Sequence, residues 1–168
     1  GANLTVTGNL DISSGAINGN IRTINLTGDM TGTADLILTT GRLNIGGDNT
    51  NTGTFTSGTG IVDYNGSDQE VKGAVYYNLI ISGSGIKALN GTAGVNATLT
   101  LSSGILQLGD FDLTLMRMLL GKIPTLSYIA LDPNVIHNKI FFKKYSESGL
   151  NISSFQIIAQ PFSEDLSG

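Results

Sequence analysis

Cysteine is missing from this chain, so neither a disulfide nor a thiolate metal site can staple it, and its redox compartment cannot be read from it. Tryptophan is missing too. Charge is scarce: 13% of residues are charged, about half the usual share of a soluble domain, and the net charge is −4. The longest basic run is Lys143-Lys144, too short to neutralise several phosphates on one face, and this excludes nucleic acid as the expected partner. No run of 18 apolar residues exists, so no membrane-spanning helix is expected. The opening GANLTVTGNL has neither a charged n-region nor an apolar h-region, which fits a mature form or a piece of a longer exported chain.

Glycine is plentiful, at 23 residues, and solvation falls to Asn, Thr and Ser, a habit commoner in extracellular β-rich proteins. Residues 58–115 show the pattern most densely. Short apolar pairs alternate with hydroxyls, as in Leu99 and Leu101 around Thr100, and Gly, Asn or Ser intervenes about every ten residues. Alternation with period two is strand sequence. The chain also repeats itself. Leu10-Asp-Ile-Ser-Ser-Gly-Ala-Ile17, Leu36-Ile-Leu-Thr-Thr-Gly-Arg-Leu43 and Leu99-Thr-Leu-Ser-Ser-Gly-Ile-Leu106 share one pattern around Gly15, Gly41 and Gly104. Repeats of 20 to 50 residues point to a solenoid, and these three glycines are expected to stack at one corner of successive coils. The fold class read from this is all-β, a parallel β-helix or β-solenoid over residues 1–115. The alternative is an antiparallel β-sandwich, because Asn65-Gly66 is a strong hairpin signal and would join 62–64 to 69–71.

Residues 116–168 change character. They hold all three prolines, the only histidine, five of the nine Lys/Arg and only three of the glycines. A short helix over 116–120 and strands over 139–145 and 151–158 are expected there. The segment reads as a C-terminal cap, as the start of a second module, or as sequence out of frame with the repeat.

The order of short motifs carries a resemblance. Gly58-Thr-Gly-Ile-Val-Asp-Tyr-Asn-Gly-Ser67, Tyr76-Tyr-Asn-Leu-Ile-Ile-Ser-Gly-Ser-Gly85, Lys87-Ala-Leu89, Val95-Asn-Ala-Thr-Leu-Thr-Leu101 and Ser103-Gly-Ile-Leu-Gln-Leu108 together resemble β-solenoid repeats of large secreted and surface adhesin-like proteins of Bacteroidetes-type bacteria. The resemblance spans residues 1–115 and stops before the tail. It implies a structural or adhesive segment at the cell surface, with no catalytic residues carried over. Expected partners are other copies, neighbouring repeats of a larger protein, or a surface glycan.

Chemistry-bearing residues are few. Asp63, Asp68 and Glu70 flank Asn65-Gly66 and are weak candidates for Ca²⁺, although their spacing matches no calcium loop; solvated turn acids are the plainer reading. Asp110 and Asp112 form an i, i+2 acid pair, and His137 is the sole imidazole; neither sits in a nucleophile, phosphate-loop or triad motif, so no enzyme is expected. Tyr64, Tyr76 and Tyr77 are ligand-face candidates for stacking on sugar rings, which supports a carbohydrate-binding or carbohydrate-active β-helix as the alternative function. Thr5/Thr7, Thr31/Thr33, Thr52/Thr54/Thr56 and Thr98/Thr100 support an ice-binding solenoid as a second alternative, if they stack on one flat face. No cofactor other than calcium is indicated.

Overall fold

The computed structural model describes residues 1–109, 111, 113–115, 118–120, 128–130 and 140–142. Strand pairing there is parallel throughout. Leu4 pairs with Ile24, Ile24 with Leu43, Leu43 with Val62, Val62 with Leu79, Leu79 with Leu99 and Leu99 with Met118, giving coils of 20, 19, 19, 17, 20 and 19 residues. The protein is a parallel β-solenoid. The antiparallel alternative fails at its own test: Ile61–Tyr64 pairs with Arg42–Ile45 and with residues 78–81, while Gln69–Val71 pairs with Lys87–Leu89. Asn65-Gly66 therefore turns the chain onto a new side of the coil and folds no hairpin.

Each coil has three sides. The first runs through Leu4–Val6, Thr23–Leu26, Arg42–Ile45 and Ile61–Tyr64, then the last halves of Val75–Ile81 and Ala93–Leu101. The second runs through Leu10–Ile12, Met30–Gly32, Gln69–Val71, Lys87–Leu89 and Ile105–Gln107, and the third coil joins it through a single bridge from Asn49 to Met30. The third comprises Ala16–Asn18, Asp35–Ile37 and Phe55–Thr56, then the first halves of the two long strands. In those later coils the corner between the third and first sides flattens into a bulge, with Tyr77 opposite Asn96 and Ala97. Met118–Leu120, Tyr128–Ala130 and Ile140–Phe142 pair with residues 99–101, 105–107 and 113–115 and extend the ladders. Residues 118–120 are thus strand where a helix is expected from the sequence. The expected strand over 151–158, like Asp110, Asp112 and His137, lies outside the described residues.

Alternation builds the core. Ile24, Leu43, Val62, Leu79 and Leu99 stack in one inward column and Leu26, Ile45, Tyr64, Ile81 and Leu101 in another, all buried. Each fully buried aliphatic chain contributes about 1.5–3 kcal/mol relative to exposure. The coils lie about 4.8 Å apart, so residues 19 or 20 apart touch directly.

The three glycine motifs do not stack. Gly15 opens the third side, Gly41 the first and Gly104 the second, because a 26-residue gap is not one coil of 19 or 20. The same words are used at three different corners. The true corner column is Gly8, Gly28, Gly47, Gly66 and Gly83, where Gly28 N–H donates to Gly8 O and Gly47 N–H to Gly28 O, each at 3.0 Å. Backbones meet so closely there that a Cβ on Gly66 would lie 2.0 Å from Gly46 O. At the corner between the third and first sides Asn20, Thr39 and Gly58 share a left-handed backbone, with φ of 50°, 52° and 52°.

Candidate functional site: outer ladders and a buried polar seam

The outward column of the first side runs Thr5, Asn25, Asn44, Asp63, Ile80, Thr100. Its middle is a closed hydrogen-bond chain. Asn44 Nδ2 donates to Asn25 Oδ1 at 2.7 Å, Arg42 Nε to Asn44 Oδ1 at 2.6 Å, Arg42 Nη2 to Asp63 Oδ2 at 2.5 Å and Ser82 Oγ to Asp63 Oδ1 at 2.6 Å. Asp63, only 8% exposed, is thereby engaged at both oxygens. A second ladder lies where the first side turns into the second. Asn9, Asp29 and Asp48 each accept, through Oδ1, the backbone N–H of Asp29, Asp48 and Glu70 in the following coil, at 2.9, 2.9 and 2.7 Å. Side-chain oxygens there do the work that strand carbonyls do elsewhere.

Inside the third and fourth coils the core turns polar. Asn49 and Asn51 point inward where the second side has no strand, and Tyr64 (0% exposed) and Tyr76 (1%) project from the first and third sides to meet them. Tyr76 OH donates to Lys72 O at 2.6 Å, so at the 3.2 Å contact between the hydroxyls Tyr64 must be the donor. Tyr64 OH then accepts from Asn49 Nδ2 and from Lys72 N–H, both at 3.2 Å. Burial raises both phenols above their ordinary pKa, Tyr64 partly offset by its hydrogen bonds and Tyr76 further by the neighbouring Tyr64. The Phe55 ring lies 5.5 Å from that of Tyr76, tilted by 48°. Lys72 Nζ donates to Asn51 O, and burial lowers its pKa.

The corner between the first and second sides holds two more buried polar groups in one column. Gln69 Nε2 donates to Ile45 O at 3.0 Å and Gly47 O at 2.6 Å, while its Oε1 accepts from Gly66 N–H at 2.7 Å. Lys87, 0% exposed, stacks on Gln69 and directs Nζ at the carbonyls of Gly66, Ser67 and Ser84. Burial lowers its pKa, opposed by the Asp68 and Asp63 carboxylates. Both residues satisfy corner carbonyls that face into the coil, a need created by the turn itself.

The residues singled out in the sequence scatter. Asp63 faces Arg42 and Ser82, Asp68 accepts Ile86 N–H at 2.8 Å, and Glu70 faces Asn90. They do not converge, and among the described residues no three Asp, Glu or His side chains are grouped to hold a metal ion. Tyr64 and Tyr76 lie in the core and offer no ring to a ligand, because alternation carries Tyr64 inward with Val62. Of the three tyrosines only Tyr77, 36% exposed at the bulge, reaches the surface. No array runs through the nine threonines: Thr5, Thr31, Thr56, Thr98 and Thr100 stack on Asn25, Asp11, Ile37, Asn78 and Ile80, while Thr33 and Thr52 follow one another at one corner, their hydroxyls donating to Ser13 O and Gly32 O of the coil before. Gln69, Lys87, Asn49 and Asn51 escaped notice in the sequence. A signal existed for the first two, since Gln69-Glu-Val71 and Lys87-Ala-Leu89 place Gln and Lys at positions that alternation with Val71 and Leu89 assigns to the core.

Chemically, these arrangements hold a wall together. Most of their donors and acceptors are spent on neighbouring coils or on the turn beside them, and Asn49 Oδ1 is the one buried side-chain oxygen among the described residues without a partner. The class they define is a three-sided parallel solenoid with polar seams, and at that class the identification rests: no family model, curated protein or solved structure matches the chain.

Proposed function

We propose that the chain is a non-enzymatic structural or adhesive segment of an exported bacterial surface or filament-forming protein. One observation supports this most directly: Asp63, Gln69, Lys87 and the Asn9–Asp29–Asp48 ladder, the polar groups a binding or catalytic cleft would need, are each bonded to a neighbouring coil. The resemblance of residues 1–115 to adhesin-like repeats supports the same reading. Stacked coils give a stiff element from short sequence, and the outer face presents hydroxyls and amides to a second copy or a glycan. The carbohydrate-active alternative loses two of its three aromatic platforms to the core, and the ice-binding alternative loses its regular threonine array.

The test is antibody labelling of intact source cells together with retention of beads carrying the purified chain. Labelling of unpermeabilised cells, and retention on envelope polysaccharide or on beads bearing the same chain, is expected. Antigen confined to lysates, or release of sugar from a polysaccharide panel, would overturn the reading.

A further inference from the structure

An Asn-Gly pair is a chemically labile point of a polypeptide, because glycine's missing side chain lets its own amide nitrogen approach the preceding carboxamide carbon. The chain has three: Asn18-Gly19, Asn65-Gly66 and Asn90-Gly91, all with exposed asparagines. The fold treats them differently. Gly19 N–H donates to Ile37 O at 2.7 Å, a ladder bond between coils. Gly66 N–H donates at 2.7 Å to Gln69 Oε1, and that side chain is itself buried and anchored at its other end on two carbonyls. In both pairs the nitrogen cannot turn toward the carboxamide without giving up a bond. Gly91 N–H has no acceptor among the described residues, and Asn90-Gly91 sits in the turn between Lys87–Leu89 and Ala93–Leu101.

We infer that Asn90 is a site of spontaneous deamidation in the folded protein, while the fold shields Asn18 and Asn65. The Gly91 nitrogen attacks Asn90 Cγ, its proton passes to the departing amide, and ammonia leaves as the succinimide closes. Water then adds to either ring carbonyl and yields aspartate or isoaspartate at 90. No electrons are exchanged, and water is the one co-reactant. The site is consequential for the stack. Asn90 Oδ1 accepts Gly73 N–H at 3.0 Å, a bond that ring closure keeps because Oδ1 stays on Cγ and that polarises the carbonyl under attack, whereas the leaving Nδ2 gives up only two long bonds, to Asn49 O and Glu70 Oε2, both at 3.4 Å; one side chain thus ties three coils. Deamidation removes both donated bonds and sets a second carboxylate against Glu70. This inference stands apart from the adhesive reading and survives its failure.

The whole chain is incubated at mildly alkaline pH, native in one arm and in urea in the other, then digested and mapped by mass spectrometry. In the native arm the Asn90 peptide gains the mass of one amide-to-acid exchange and splits into two eluting isomers, with the Asn18 and Asn65 peptides unchanged; in urea all three convert. Equal conversion of all three in the native arm, or an Asn90 as persistent as Asn18 and Asn65, overturns the inference. Gln69→Met removes the acceptor of Gly66 N–H, so Asn65 joins Asn90 in converting natively. An intact Asn65 in that variant, with a native circular dichroism spectrum, overturns the shielding.

Discussion

Replacing Lys87 with methionine tests whether the inward ammonium is a structural member of the corner or a burden on it. Methionine keeps the length and the apolar stem, and removes only the group that the Gly66, Ser67 and Ser84 carbonyls share. Two effects oppose each other. An apolar replacement recovers the cost of burying a charge that is 0% exposed, and buried ions have been replaced this way at a net gain. Against this, orphaned acceptors cost about 1–3 kcal/mol each when water cannot reach them. Gly66 O keeps one bond from Ser84 N–H at 3.1 Å, and Ser67 and Ser84 belong to exposed residues, so the full sum is not lost. A net loss of about 2–3 kcal/mol follows, a midpoint drop on the order of 5–10 °C for a domain of this size. Urea unfolding followed by circular dichroism reads it. Leu106 occupies the equivalent place one coil on and is fully buried, so an apolar residue fits the column there. A methionine variant as stable as the parent, or more so, would refute the view that the lysine is needed to hold the corner.

Further outcomes follow from the same geometry. Because Tyr64 and Tyr76 keep their protons in the native state at pH values where the unfolded chain has lost them, their stabilisation is intact below pH about 10 and drains away as pH rises further. Lys87 and Lys72 act with the opposite sign, adding stability as pH rises toward the ordinary lysine value, so Tyr64→Phe/Tyr76→Phe should turn the alkaline fall in urea midpoint into a plateau or a rise. Gly58→Ala puts a Cβ 2.0 Å from Thr39 O at a left-handed position and should cost about 2–4 kcal/mol, whereas Thr39→Gly, which relieves a branched side chain at φ 52°, should cost nothing measurable; the two thermal midpoints decide. Asp63→Ala strands Arg42 and Ser82 on the outer ladder and should lose about 1–2 kcal/mol at low salt, less in high salt because the Arg42 side chain is 35% exposed; an unchanged urea midpoint at low salt would count against the ladder.

Strand and corner were written locally. Leu-x-Leu alternation puts apolar residues on one face whatever the rest of the chain does, and Gly or Asn-Gly marks a corner because few other residues accept the backbone required there. From these alone the all-β class and a coiled, repeating path were legible, as was the absence of any motif that marks a nucleophile or phosphate site. Which corners coincide was not legible, because the Ser-Ser-Gly and Thr-Thr-Gly words serve the entrances to all three sides equally, and only the closure of a coil, at 17 to 20 residues, distinguishes them. The repeat that does stack, the glycine column from Gly8 to Gly83, is spelled with different neighbours in each coil and was passed over. Tertiary structure also decided what the polar residues do. Tyr64 and Tyr76 face one another because they project from the first and third sides of one coil over Asn49, whose own coil has no strand on its second side, and Lys87 finds the Gly66 and Ser67 carbonyls only when the turn of the preceding coil lies beneath it. A side chain's direction relative to its own strand is a local property, set by the pleat. Its partner is a property of the stack, set by residues some twenty positions away.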